Sequence, residues 1–143
     1  MNEANATHRE IERIYNTWDK MLAKRDVEGA LALYAPDATL ESPLIPHLLQ
    51  TERGICRGTE QLGHFLTIVF QRTPARRRHF RSGYFTDGKR LIWEYPRQTP
   101  DGEQMNFAEV MDIEQGLIKH HRVYWGWFGV QIMKSDKYRR ESE

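Results

Sequence analysis

Two strand-like runs joined at Glu114-Gln115-Gly116 confine the fold, because one of them sets a carboxylate in an apolar row. In the run that begins at Met105, the residues Phe107, Glu109, Met111 and Ile113 share one face, since side chains alternate along a strand. A carboxylate on a core-facing row costs free energy unless it is paired, protonated or used. The second run, Leu117 to Phe128, carries His120-His121-Arg122 and then Tyr124-Trp125-Gly126-Trp127-Phe128. Together they are expected to wall an aromatic pocket that contains Glu109. This stretch points to a pocket without naming its ligand.

The 143 residues suit one domain with a single core, spanning 1–143 with an ordered part near 7–132 and a charged tail at 134–143. Charged residues form 29% of the chain but nearly cancel, to a formal net charge of +1. That balance gives no global attraction to nucleic acid or to an anionic membrane, so neither is expected as a partner. Cys56 is the one cysteine, which excludes an intrachain disulfide and thiolate metal clusters. Met1 to Thr7 is polar, and no apolar run is long enough to span a bilayer; the expectation is a cytoplasmic domain.

Thr7-His8-Arg9-Glu10 has the form of a capping box, and Ile11, Ile14, Tyr15, Trp18 and Leu22 then follow helical spacing. Asp26 is expected to cap a second helix through Tyr34, ended by Pro36. Ala38 to Pro43 reads as a strand with Leu40 and Ser42 on the buried side and Glu41 opposite. Leu44 to Arg57 is too apolar for an exposed loop, so it is either a helical turn over the core edge or a lid carrying His47. Thr59 can cap a third helix with the stripe Leu62, Phe65, Leu66, Val69 and Phe70, stopped at Thr73-Pro74. Beyond it, turns at Asp87-Gly88, Pro100-Asp101-Gly102 and Gln115-Gly116 imply a four-stranded antiparallel meander from about Arg76 to Ile132.

Helices followed by a curved sheet describe an α+β domain, three N-terminal helices packed on a curved antiparallel sheet. This order, with the segment Ala30-Leu-Ala-Leu-Tyr-Ala-Pro-Asp-Ala-Thr-Leu-Glu-Ser-Pro43, resembles the nuclear transport factor 2-like superfamily, in its ketosteroid isomerase-like or SnoaL-like branch. The resemblance runs from about Ile11 to Phe128 and implies a cystatin-like fold with a cone-shaped pocket. Its members include isomerases, dehydratases, cyclases, epoxide hydrolases and non-enzymatic binding domains. Ketosteroid isomerases place a general-base Asp before the Pro that ends the first strand, where this chain has Glu41-Ser42-Pro43. Their helix-one tyrosine falls at Trp18, with Tyr15 one turn earlier on the same face, and their second acid aligns approximately with Glu109. Only that acid is retained, so the familiar steroid isomerase mechanism is not expected.

Glu109 is then a general acid or a protonated hydrogen-bond donor, or else a structural carboxylate paired with Arg122 or a buried histidine. His120 and His121 face opposite sides of one strand, and parity alone does not choose which of them joins Glu109 and Tyr15 in catalysis. The expected ligand contacts are Trp18, Ser42, Phe65, Trp93, Tyr95, Phe107, Tyr124 and Trp125. Some of these aromatics are equally suited to core packing or to a homodimer contact through the sheet. The basic run Arg76-Arg77-Arg78-His79-Phe80-Arg81 fits a solvated strand end, or the docking of an anionic substrate group, better than RNA. No helical zinc spacing, phosphate loop, nucleophile elbow or dinucleotide fingerprint is present, and neither a metal nor a cofactor is expected. Three readings remain: an acid–base enzyme of isomerase, dehydratase or cyclase type acting on a small apolar or aromatic compound, a small-ligand-binding module, and a homodimeric interaction domain.

Overall fold

A computed structural model describes residues 3–72, 81–98 and 102–135, with the side chains of residues 3–6 left aside. The order is α1 (Glu3–Lys24), α2 (Val27–Leu31), β1 (Tyr34–Glu41), α3 (Leu44–Leu49), β2 (Ile55–Arg57) and α4 (Gly58–Arg72). It continues with β3 (Phe85–Thr86), β4 (Arg90–Gln98), β5 (Gln104–Glu114), β6 (Leu117–Trp125) and α5 (Trp127–Ser135). The six strands form one mixed sheet in the order β2-β1-β6-β5-β4-β3. All neighbours are antiparallel except β1 and β6, which run parallel. Helices on the concave face of this sheet make an α+β domain, as expected from the sequence.

The first helix buries Ile11, Ile14, Tyr15 and Trp18, and α4 buries Leu62, Phe65, Leu66 and Phe70. They meet Leu40, Leu91, Trp93, Met111 and Ile118 from the sheet in one core. Each large apolar side chain so buried contributes about 1.5–3 kcal/mol relative to exposure. A left-handed Arg25 (φ 58°) ends α1, where the N–H of Asp26 donates to Met21 and that of Arg25 to Leu22, closing the last turn. Asp26 caps α2 as expected, its Oδ1 accepting from the N–H of Gly29 at 2.9 Å. The Asp87-Gly88 hairpin also forms, with Asp87 Oδ1 accepting from the N–H groups of Lys89 and Arg90.

Several expectations are corrected. Thr7 to Glu10 lie inside α1 rather than at its cap, because helix-compatible residues from Glu3 onward extend it. The second helix ends at Leu31, and Tyr34 opens β1 instead of closing α2. Pro36 is accommodated within β1 at a register shift against β6 between Tyr34 and Thr39, where a missing N–H is tolerated. Residues 44–57 follow one of the two expected alternatives, a helical turn packed over the core edge: α3 buries Ile45, and the short edge strand β2 after it pairs with β1. The helix expected from Thr59, α4, starts at Gly58, where Gln61 Oε1 accepts from the N–H of Arg57, so Thr59 is not its cap. The last strand stops at Trp125, and Trp127 to Ser135 form α5, so the charged tail does not begin at Lys134. Residues 73–80, 99–101 and 136–143 lie outside the described residues, and with them most of the basic run and the Pro100-Asp101 turn.

Candidate active site

On β5, Glu109 stands directly between Trp93 of β4 and Val123 of β6. Its diagonal neighbours on the same face are Tyr95, paired with Phe107, and His121, paired with Met111. Diagonal residues on a sheet face lie within reach of long side chains, and here both reach. The Tyr95 hydroxyl donates to Glu109 Oε2 at 2.7 Å, and His121 Nε2 lies 2.6 Å from Oε1. Glu109 is 6% exposed and His121 1%. The carboxylate that the alternation placed in the core is thus held at each oxygen by a partner from an adjoining strand.

Behind His121, the hydroxyl of Tyr34 lies 2.7 Å from Nδ1, with the two rings stacked at 6.0 Å. Burial pushes the Tyr34 phenol well above its ordinary range, and the charge of Glu109 pushes it further. Tyr34 therefore keeps its proton, and Nδ1 is the one acceptor for it among the described residues. Donor counting assigns the rest: Nδ1 accepts, and Nε2 carries the hydrogen that goes to Glu109. A chain of three donations, Tyr34 to His121 to Glu109 and Tyr95 to Glu109, satisfies every group and suits an ionised carboxylate. Trp18 from α1 closes over the imidazole edge-on at 5.3 Å.

The site opens onto a cavity in two lobes. The main lobe, about 90 Å³, is lined by Trp18, Leu22, Leu40, Ser42, Leu44, Phe65, Leu66, Val69, Phe70, Tyr95, Arg97, Glu109, His121 and Val123. A side lobe of about 30 Å³ shares Trp18, Leu22, Tyr95, Arg97 and Glu109 and adds Asp19, Arg81 and Trp93. Both are small beside the ~150 Å³ of an engineered apolar cavity that admits benzene. A wider groove of about 550 Å³ between α3, β2 and α4 is the larger space, but it is open to solvent and contains neither Glu109 nor a comparable buried polar chain. Among the described residues, no cluster of His, Cys, Asp and Glu is fit to hold a metal ion.

Of the residues expected at the site, the structure brings Glu109, His121, Trp18, Ser42, Phe65 and Tyr95 together around the main lobe, and Trp93 around the side lobe. Ser42 Oγ accepts from the N–H of Leu44 at 3.2 Å, which commits it to the turn into α3. Tyr15 is not brought to Glu109: its hydroxyl donates to the Gly83 carbonyl at 3.3 Å, and the Arg81 guanidinium lies 3.4 Å from its ring centre. His120 is on the convex face, near Glu41 at 3.7 Å and Asp112 at 3.9 Å, so parity places it opposite His121. Arg122 pairs there with Asp112 at 2.8 Å rather than with Glu109. Phe107 and Trp125 pack under α5 with Met105, Ile132 and Met133, and Tyr124 is 55% exposed. These three lie outside both lobes, because α5 covers the sheet end where the strand was expected to continue. Two site residues were missed. Tyr34 was hidden by its assignment to a helix, whereas Arg97 shares the parity of Trp93 and Tyr95 and could have been found from that signal.

A family model described as a SnoaL-like domain matches residues 11–121. No curated protein matches the chain. Among solved structures, the chain is similar to a SnoaL-like protein of unknown function from Burkholderia thailandensis, at 16% identity and a TM-score of 0.69, covering 82% of this chain and 95% of that one. It is similar to a steroid delta-isomerase from Pseudomonas aeruginosa, at 17% identity and 0.67, covering 90% and 88%. It is also similar to the epoxide hydrolase/cyclase-like enzyme SalBIII of pyran ring formation in salinomycin, at 17% and 0.64, covering 85% and 94%. At these identities the likenesses show the fold alone. With the family model spanning most of its length, the chain belongs to the SnoaL-like domain family of the nuclear transport factor 2-like superfamily.

Proposed function

We propose that the protein is a cofactor-independent acid–base enzyme, of isomerase, dehydratase or cyclase type, that acts on a small apolar or aromatic compound. The observation that carries this reading is the placement of Glu109, a carboxylate held by Tyr95 and His121 on the wall of a mostly apolar cavity. Each carboxylate oxygen accepts one hydrogen bond and keeps further acceptor capacity for a substrate proton. Glu109 takes a proton from the substrate as base and returns it at a second position as the conjugate acid. Throughout, Tyr95 and His121 hold its orientation, and Tyr34 fixes the tautomer of His121. The isomerase-like and cyclase-like neighbours are compatible with such chemistry without assigning it.

The test is a panel of small cyclic ketones, hydroxy compounds and aromatics incubated without added cofactor and followed by mass spectrometry and proton–deuterium exchange. Glu109→Gln keeps the shape, and the Tyr95 hydroxyl can turn to accept from the new amide, so the variant is expected to fold. Conversion is expected to fall by about 10²–10⁴-fold, the usual share of a general acid–base group. Conversion that persists in Glu109→Gln overturns the mechanism. A binding module is the second reading, favoured by the commitment of Ser42 to Leu44 where the isomerases keep a base; saturable binding with no product or exchange would establish it. Phe85, Ile92 and Tyr124 expose apolar surface on the convex face, which supports a homodimer through the sheet. Sedimentation showing only monomer at micromolar concentration would remove that assembly.

A further inference from the structure

We infer that the side lobe beside Glu109 is a water site, and that the reaction run there releases or adds water, the dehydratase form of the proposed chemistry. The inference rests on the reading of Glu109 as the reacting group and chooses among the reaction types that reading allows. Size is the first argument. The side lobe holds about 30 Å³, above the roughly 10–15 Å³ that one water needs and too little for an organic substrate. Polarity is the second, because a cavity takes up water only where about two to four polar partners border it. Glu109 and Tyr95 border this one together with Asp19, Arg81 and Arg97, beside two indoles and a leucine.

The two acidic and two basic side chains of the lobe balance, which suits a dipole and not an ion. Arg81 and Asp19 are engaged with each other at 3.6 Å, and Arg81 also donates to the Tyr15 carbonyl at 2.8 Å, so the pair is fixed against α1. Glu109 supplies the anchor. An ionised carboxylate offers about four lone-pair sites, and Tyr95 and His121 fill one on each oxygen. With Glu109 only 6% exposed, its remaining capacity is turned to the cavity, where a water in the side lobe can donate to it.

The main lobe, about 90 Å³ and mostly apolar, shares Glu109. It is smaller than the ~150 Å³ cavity that admits benzene, so it takes a short open-chain part of a substrate. The compound class that uses both lobes is a β-hydroxy carbonyl. Glu109 takes the proton from the carbon between the carbonyl and the hydroxyl-bearing carbon, and the electron pair of that C–H bond forms the C=C bond as the C–O bond breaks. Protonated Glu109 then gives its proton to the departing oxygen, which leaves as water into the side lobe, and the carboxylate is restored. One group serves both transfers, so the proton and the hydroxyl leave from the same face of the substrate. Hydration is the same sequence reversed.

The experiment has two arms, both on the full chain. A crystal structure is expected to show a water in the side lobe at about 2.5–3.0 Å from a Glu109 carboxylate oxygen. A dry side lobe overturns the inference. The second arm incubates acetaldol, a short-chain β-hydroxy aldehyde, in water enriched in deuterium and heavy oxygen, and locates each label by mass spectrometry against an enzyme-free control. Wild type is expected to form crotonaldehyde, to place deuterium on the carbon next to the carbonyl, and to place heavy oxygen at the hydroxyl position of recovered acetaldol. Glu109→Gln should lower all three by about 10²-fold or more. Deuterium without heavy oxygen at the hydroxyl overturns the dehydration inference and leaves Glu109 standing as the base. Neither label above the control overturns the catalytic reading along with it. Heavy oxygen that enters as fast in Glu109→Gln as in wild type overturns the assignment of the water to Glu109.

Discussion

His121 joins strands that are not neighbours: its Nε2 lies 2.6 Å from Glu109 of β5, and its Nδ1 lies 2.7 Å from the Tyr34 hydroxyl of β1. The imidazole sits on β6, between the two, so one side chain ties three strands of the sheet. The parallel pairing of β1 and β6 makes this tie useful, because Tyr34 enters β1 before the register shift and its phenol must reach forward to the level of His121. The group proposed to orient Glu109 is also a strut of the core, and changes to it are expected to register in both stability and turnover.

Tyr34→Phe tests the strut with the least change of shape. The variant leaves Nδ1 buried without its donor, and the loss is expected to be about 1–3 kcal/mol in urea denaturation near neutral pH. The gap should narrow at alkaline pH. The folded state raises the Tyr34 pKa, so its contribution is fully present below the unfolded value near 10 and is lost as pH rises above it. Parallel curves for wild type and Tyr34→Phe from about pH 8 to 11 would show that the phenol is not the buried donor described above.

How much of this was legible beforehand depends on the range of the interaction. Alternation placed Glu109 inside and Glu41 outside, and helical spacing gave the buried stripes of α1 and α4, because these patterns are local. The choice between His120 and His121 needed the partner strand: only pairing with Met111 shows which of them shares a face with Glu109. Tyr34 was misread because Pro36 normally ends a helix, and the sequence carries no local sign that a register shift would admit it to a strand. Trp127 and Phe128 continue an aromatic run that looks like strand, yet Gly126 breaks it and α5 turns back over Met105 and Phe107. Tertiary contact overrode propensity there.

On the convex face, acid should weaken the fold in two steps. Burial, with the Arg122 charge second, lowers the pKa of His120, so its contribution is present above the ordinary value near 6.5 and declines as pH falls below it. The hydrogen bond from Arg122 holds Asp112 below its ordinary value of 3.8, with Arg90 adding to it, so that contribution is present above 3.8 and is lost at still lower pH. Glu41 faces the same histidine from β1 and opposes the first effect. Solvent screening at these half-exposed sites keeps each step to about 1 kcal/mol or less. His120→Gln should flatten the curve near pH 6 while leaving turnover unchanged, and an unchanged slope would show that His120 is not the group responsible.

Ser42→Ala separates position from chemistry. Ser42 lines the cavity at the place where the resembling isomerases keep their base, yet its Oγ is engaged with the N–H of Leu44. Removing it is expected to cost about 0.5–1.5 kcal/mol of stability, the net value of one hydrogen bond. The rate of conversion, with whichever compound the panel identifies, should be retained. A large fall in kcat with KM unchanged would make Ser42 part of the reacting group and would break the case for Glu109 acting with only Tyr95 and His121.

The most direct measure of the central contact is a double-mutant cycle on His121→Leu and Glu109→Gln. His121→Leu alone leaves a buried carboxylate with one donor in place of two, and is expected to lose about 3 kcal/mol or more. Glu109→Gln alone removes the charge but keeps an acceptor for Nε2–H, so its loss should be smaller. In the double variant no buried charge remains to be satisfied, and the combined loss should fall short of the sum by about 0.5–3 kcal/mol, the range for residues in one network. Because Tyr95 still donates to position 109, the cycle isolates the histidine arm. Additive losses would mean that His121 and Glu109 are held in place independently, and the chain from Tyr34 could then no longer account for the orientation of the carboxylate.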